Sequence, residues 1–181
     1  MQLDAHYILG KTGKSALDES RADWVDMQLS RTFMANARTA LLSATVAIVV
    51  TTMMLYGLVS TPYLMAWTAA VACLSFYREW IVQTYRSRYT HADALELNAF
   101  FESHRWSWPL SALLWAALMF LYLDKVPLTN QFICILILVG MGVFSVMVMS
   151  ARLDCFVPYV HVLSFTCLCA VLASWLRDGE W

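Results

Sequence analysis

Four stretches of the chain, 39–77, 106–123, 126–151 and 155–176, contain no Asp, Glu, Lys or Arg. Apolar residues fill them without the strict alternation of a half-buried strand and without a polar face, which is the pattern of helices that are apolar all round. A hydrocarbon core about 30 Å thick is crossed by roughly 20 helical residues, so the first stretch is long enough for two spans and each of the others for one. The first divides at Gly57 and Ser60-Thr61-Pro62, because proline lacks an amide hydrogen and disfavours helix in the residue before it. The pattern therefore predicts an all-α fold, a polytopic transmembrane helical bundle of five spans near 38–58, 63–82, 106–123, 130–150 and 155–176. A β-barrel is excluded, since its strands would alternate apolar and polar residues.

Residues 1–37 have a different character from the apolar runs. They carry Lys11, Lys14, Asp18, Glu19, Arg21, Asp23, Asp26 and Arg31, so they are no secretory signal peptide, and the first span is expected to start insertion. From 17 to 34 there is no Gly or Pro, and Leu17, Trp24, Val25, Met27 and Met34 are interleaved with charges. This predicts an amphipathic amino-terminal helix lying at the membrane interface, ahead of a transmembrane domain over 38–177. Gly10 and Gly13 point to a solvated leader over 1–15. The longest connection, 78–105, is dense in Ala, Leu and Glu from 92 to 101, so spans two and three are expected to extend beyond the membrane as helices.

Composition agrees: 60% of the 181 residues are hydrophobic and 14% charged, against roughly 45–50% and 25% in an ordinary soluble domain. Disorder, a basic nucleic-acid-binding domain and a disulfide-stapled secreted module are excluded for the whole chain. The few cations set an orientation. Arg21, Arg31, Arg38, Arg78, Arg86, Arg88, Arg105 and Arg152 fall on one side of the predicted bundle, and only Lys125 and Arg177 on the other. The positive-inside rule then places the amino terminus in the cytoplasm and, after five crossings, the carboxyl terminus outside. Such a chain is either a free-standing subunit or the front of a longer protein whose sixth helix returns to the cytoplasm. Arginines and acidic residues cancel over 78–105, so no nucleic-acid partner is expected.

No phosphate-cradling glycine loop, GxSxG elbow, HExxH or CxxC is present, and no catalytic residue is assigned. Cys73, Cys134, Cys155, Cys167 and Cys169 all fall in or beside apolar spans, where cysteine acts as a small hydrophobe. Cys167 and Cys169 are about 200° apart on a helix, unsuited to one metal. Ionisable groups inside a membrane are candidates for function. His161 lies about 9 Å into span five by the helical rise, and His104 just precedes span three. His161 is expected to be neutral and hydrogen-bonded to a backbone carbonyl or to Tyr159, with no metal or other cofactor; haem or copper would require the two rings to face one another across neighbouring helices. Arg152 and Asp154 occupy the short gap between spans four and five and, with Glu102 and Arg105, are expected to gather at the cytoplasmic face, where they couple span movements to the 78–105 connection or anchor the interface. Pro158 is a candidate kink in span five. Ala40 and Ala44, Ser43 and Ala47, Ala66 and Ala70, and Ala112 and Ala116 are small residues four apart, a spacing that lets helices approach. Gly140 and Gly142 are candidates for the same role. Trp and Tyr near the span ends form an aromatic belt.

Leu29-Ser30-Arg31 leading into the first span, Ala66-Trp67 in the second, Tyr85-Arg86-Ser87-Arg88 after it, residues 101–106 entering the third, Leu114-Trp115 within it and Gly140-Met141-Gly142 in the fourth resemble the amino-terminal membrane region of bacterial GGDEF diguanylate cyclases and sensor histidine kinases. The resemblance implies a sensory or regulatory module of the bacterial inner membrane, transmitting a signal by helix rearrangement. The outer loops, 57–62 and 124–129, are too short to form a ligand-binding domain, so a lipid or apolar small molecule is the expected signal, and the small-residue faces point to a second copy of the chain or a membrane complex as partner. No GGDEF, EAL or kinase signature lies within the chain. The alternative is a small accessory or assembly subunit of a larger membrane complex.

Overall fold

The computed structural model describes residues 3–89, 92–123 and 125–178, and every regular element among them is helical. Helix α1 runs from Leu3 to Leu55, about 80 Å at 1.5 Å per residue. No Gly or Pro interrupts it after Gly13, so the expected interfacial helix and the first span form one continuous rod. Gly57 ends the rod with a φ of 77°, a left-handed turn that costs glycine little. Pro62 then sits in the first turn of α2, Thr61–Thr84, where its missing amide is not needed. A single wide helical turn at Tyr85–Tyr89 comes next, then α3 at Ala94–His104, α4 at Ser107–Ala117, α5 at Met119–Tyr122, α6 at Leu128–Met149 and α7 at Leu153–Asp178.

Two long-range bonds define the ends of the bundle. Asn130 donates to the Met54 carbonyl at 3.4 Å, joining the start of α6 to the end of α1. Arg152, between α6 and α7, donates to Ser30 at 2.8 Å, joining that turn to the middle of α1 at the opposite end. Five helical passes (α1, α2, α4 with α5, α6 and α7) thus run back and forth between the two ends. Three of them contain a segment long and apolar enough to cross a membrane: Trp24–Leu55, Leu128–Met149 and Leu153–Arg177. Helix α2 carries Arg78 and Glu79 in its last turns. The pass from Ser107 to Tyr122 is only about 24 Å long by the helical rise.

The third predicted span, 106–123, was expected as one helix and is interrupted at Leu118. The cause is a side chain from another helix. The indole of Trp67 donates to the Leu114 carbonyl at 2.7 Å, the acceptor that the Leu118 amide would use in a regular helix. That amide turns to Ala116 instead. Leu118 keeps helical dihedrals, φ −55° and ψ −33°, so the chain continues in the same direction.

Two buried clusters stack along the bundle. One, at the Arg152 end, gathers Phe33, Met34, Ile81, Phe101, Trp108 and Tyr159; the other gathers Leu55, Leu64, Trp67, Trp115, Tyr122 and Cys134. Large apolar side chains such as Leu42, Met53, Phe76, Val143, Met147 and Phe165 point outward, an exterior suited to lipid. Of the small-residue pairs, Ala112 and Ala116 are fully buried and Ala44 nearly so, whereas Ala66 and Ala70 are exposed. A methyl group at Gly142 would sit in ordinary contact with Leu163, 3.7 Å away, and one at Gly140 would meet open space, so neither glycine is required by a close approach within the chain.

Candidate functional site

Polar chemistry concentrates on two arginines. Arg152 follows α6 in a tight turn, with its amide bonded to Met149 and its carbonyl accepting from Cys155 and Phe156. Its Nε and Nη2 donate to the two carboxylate oxygens of Asp154 at 3.0 and 2.8 Å, the bidentate geometry that a guanidinium fork favours. Nη1 reaches Ser30 of α1 at 2.8 Å and Asn98 of α3 at 3.4 Å, and the guanidinium carbon lies 4.8 Å from the Phe101 ring. One side chain therefore joins α1, α3 and α7. Burial alone would lower its pKa, but the hydrogen bond and charge of Asp154 prevail and hold it above its ordinary value. The pair Glu102 and Arg105 is 3.0 Å apart and exposed.

The two histidines are not brought into one site. His104 Nδ1 lies 2.8 Å from the Phe100 carbonyl and 2.7 Å from Ser103 Oγ, and its ring sits among Tyr77, Trp80 and Phe100. It borders an open cleft of about 550 Å³ that Trp80, Tyr89 and Glu96 also line. His161 is exposed on α7, with Nδ1 2.8 Å from the Val157 carbonyl of its own helix. An outward His161 does not make the facing pair that a shared metal needs. Among the described residues no group of three or more His, Cys, Asp or Glu could hold a metal ion.

The second arginine is one that sequence reasoning placed at the membrane surface as a topology anchor. Arg78 instead points into the bundle and is only 8% exposed. Its guanidinium carbon stacks 3.8 Å above the Trp108 ring, and Nη1 donates to Ser111 Oγ at 3.2 Å. Its Nε has no partner among the described residues, and the ion pairs of Arg105 and Arg152 do not include it. A small cavity of about 20 Å³ lies beside it, bordered by Ala40 and Ala44 of α1, Ser111 of α4, Ser145 of α6 and Tyr159 of α7. Spacing could have revealed this position. Leu64, Val71, Leu74, Arg78 and Ile81 are all buried, and their steps of seven, three, four and three put Arg78 on the apolar stripe of α2. Arg86, off that stripe, is exposed; Arg88 continues the same steps but lies in the wide turn at Tyr85–Tyr89 and is exposed too.

All five cysteines are free; Cys134 and Cys155 are buried and Cys73 is exposed. Compared with protein-family models, curated proteins and solved structures, the chain matches none, so its chemistry is read from its own residues.

Proposed function

We propose that the chain is a five-span transmembrane sensory or regulatory module of a bacterial signalling protein, with a cytoplasmic amino terminus, that transmits a signal by rearranging its helices. The observation that carries this reading is the Arg152 node, where a single guanidinium ties α1 and α3 to the α6–α7 turn. Directional bonds of this kind hold in one helix arrangement and break in another, so a ligand favouring either arrangement shifts the population. Arg31, Arg105 and Arg152 belong to the end of the bundle that the positive-inside rule assigns to the cytoplasm, and Lys125 belongs to the other. The signal is an apolar molecule or lipid: a groove of about 410 Å³ between α1 and α2 is lined by Leu41, Leu42, Ile48 and Phe76, with Arg38 and Glu79 also bordering it. The resemblance to membrane regions that precede cyclase and kinase domains supports the same reading.

Hydrogen exchange in lipid nanodiscs tests it. With Arg152→Ala, amide exchange is expected to rise together over α3 and around Ser30, although neither is adjacent in sequence to the substitution. A change confined to residues 149–156 contradicts coupling. Stoichiometric copurification with an unrelated membrane complex, without that joint change, favours the accessory-subunit alternative.

A further inference from the structure

A cation buried away from water costs several kcal/mol unless an opposite charge or a full set of hydrogen bonds compensates it. Arg78 has only part of that compensation. The face of Trp108 and one hydroxyl, Ser111, attend the guanidinium, while its Nε–H has no partner among the described residues. All five helical passes contribute to its surroundings, and none brings a carboxylate into the cavity beside it: the lining is Arg78, Ser111, Ser145 and Tyr159 with apolar residues from α1 and α6.

The donors there are not all used. Ser111 accepts from Arg78, which leaves its own hydroxyl hydrogen free to point elsewhere. Ser145 donates to the Met141 carbonyl at 2.7 Å, and Tyr159 borders the same cavity. Arg78, whose Nε–H has no partner among the described residues, and Ser111 therefore border a space of about 20 Å³, room for a particle the size of one water molecule or one small ion and too small for a phosphate or a carboxylate-bearing molecule.

We propose that this cavity binds one monatomic anion of the chloride class, held by Arg78 Nε and the Ser111 hydroxyl. The ion supplies the charge that the helices omit. Because α1, α2, α4, α6 and α7 all border it, occupancy ties the centre of the bundle together. The inference is independent of the signalling reading, since Arg152 lies outside this cavity and the two are tested by different variants.

The test uses the full chain in lipid nanodiscs, with sodium chloride, bromide or gluconate at constant ionic strength. The expected result is a saturable rise in Tm with chloride and bromide and none with gluconate, and retention of about one chloride-36 per chain in equilibrium dialysis. Ser111→Ala, which keeps the cation, is expected to move half-saturation to at least about tenfold higher chloride, in line with a lost hydrogen bond to a charged group. Arg78→Gln is expected to abolish the response. Should that variant fail to fold, Ser111→Ala decides. A Tm that does not depend on the anion means that the cavity holds water and overturns the proposal; so does an unchanged chloride response in Ser111→Ala or in folded Arg78→Gln.

Discussion

Arg152 donates a 2.8 Å hydrogen bond to the hydroxyl of Ser30, a residue 122 positions earlier in the chain. Ser30 is fully buried, so α1 presents a polar atom inside the protein and the turn between α6 and α7 supplies its partner. Neighbouring Phe33 and Met34 are buried in the cluster that holds Phe101 and Trp108. The segment that reads in sequence as a surface helix is thus tied to the bundle by both packing and a charge-assisted bond.

Removing the tie has a measurable cost. Arg152→Ala is expected to lower stability by about 1–2 kcal/mol, less than a fully buried ion pair because Asp154 is partly exposed. Ser30→Ala should cost about 1 kcal/mol. Reversible unfolding in mixed micelles gives both values, and a double-mutant cycle between the two positions should show coupling; strict additivity would mean that the 2.8 Å contact contributes nothing.

Trp67 and Trp115 pack edge to face at 5.4 Å between centroids, and the Trp67 indole occupies the Leu114 carbonyl. Trp67→Phe keeps an aromatic ring, though a smaller one, and removes the donor. The Leu118 amide is then free to bond to Leu114, so its hydrogen exchange should slow while global stability falls by about 1 kcal/mol. Unchanged exchange at Leu118 would show that the helix break has another origin.

Ala112 is completely buried on α4, the helix most extensively packed against α7. Ala112→Leu should therefore destabilise by about 1–3 kcal/mol through overpacking. Ala66→Leu, at an exposed position, should stay within about 0.5 kcal/mol if that face meets only lipid. A large loss at Ala66 alone, accompanied by a smaller particle in detergent, would reveal a contact between copies of the chain.

Orientation is tested with reporter fusions. A reporter after Arg88 should be active only in a form that works in the cytoplasm, and one after Arg177 only in a form that works outside. Reversal at either position overturns the charge-based topology.

The helices were legible in sequence because charge-free runs of this length have few alternatives, and the chain break at Gly57 and Pro62 comes from two residues with distinctive backbones. The features that were not legible depend on contacts between helices. The interruption at Leu118 comes from an indole 47 positions away from its acceptor, and no local residue signals it. Arg152 and Asp154 were visible as a pair because they are two residues apart; their ties to Ser30 and Asn98 required the fold. Arg78 was misplaced because a single arginine at the end of an apolar run looks the same whether it faces outward to the interface or inward along the buried stripe of α2. His161 drew attention as an intramembrane ionisable group, yet its own helix satisfies one ring nitrogen and the residue faces outward.

The most direct test of signalling through the Arg152 node is the distance between α3 and the start of α7. Leu95 and Leu153 are 83% and 65% exposed, so spin labels attached there through a non-canonical amino acid disturb little and leave the five native cysteines in place. In lipid nanodiscs, pulsed electron paramagnetic resonance should give one narrow distance distribution for the wild type. Arg152→Ala should add a second, separated population, as expected of an element with two arrangements. An identical narrow distribution in wild type and variant, with the variant folded, would contradict the node as the point through which helix movements are transmitted.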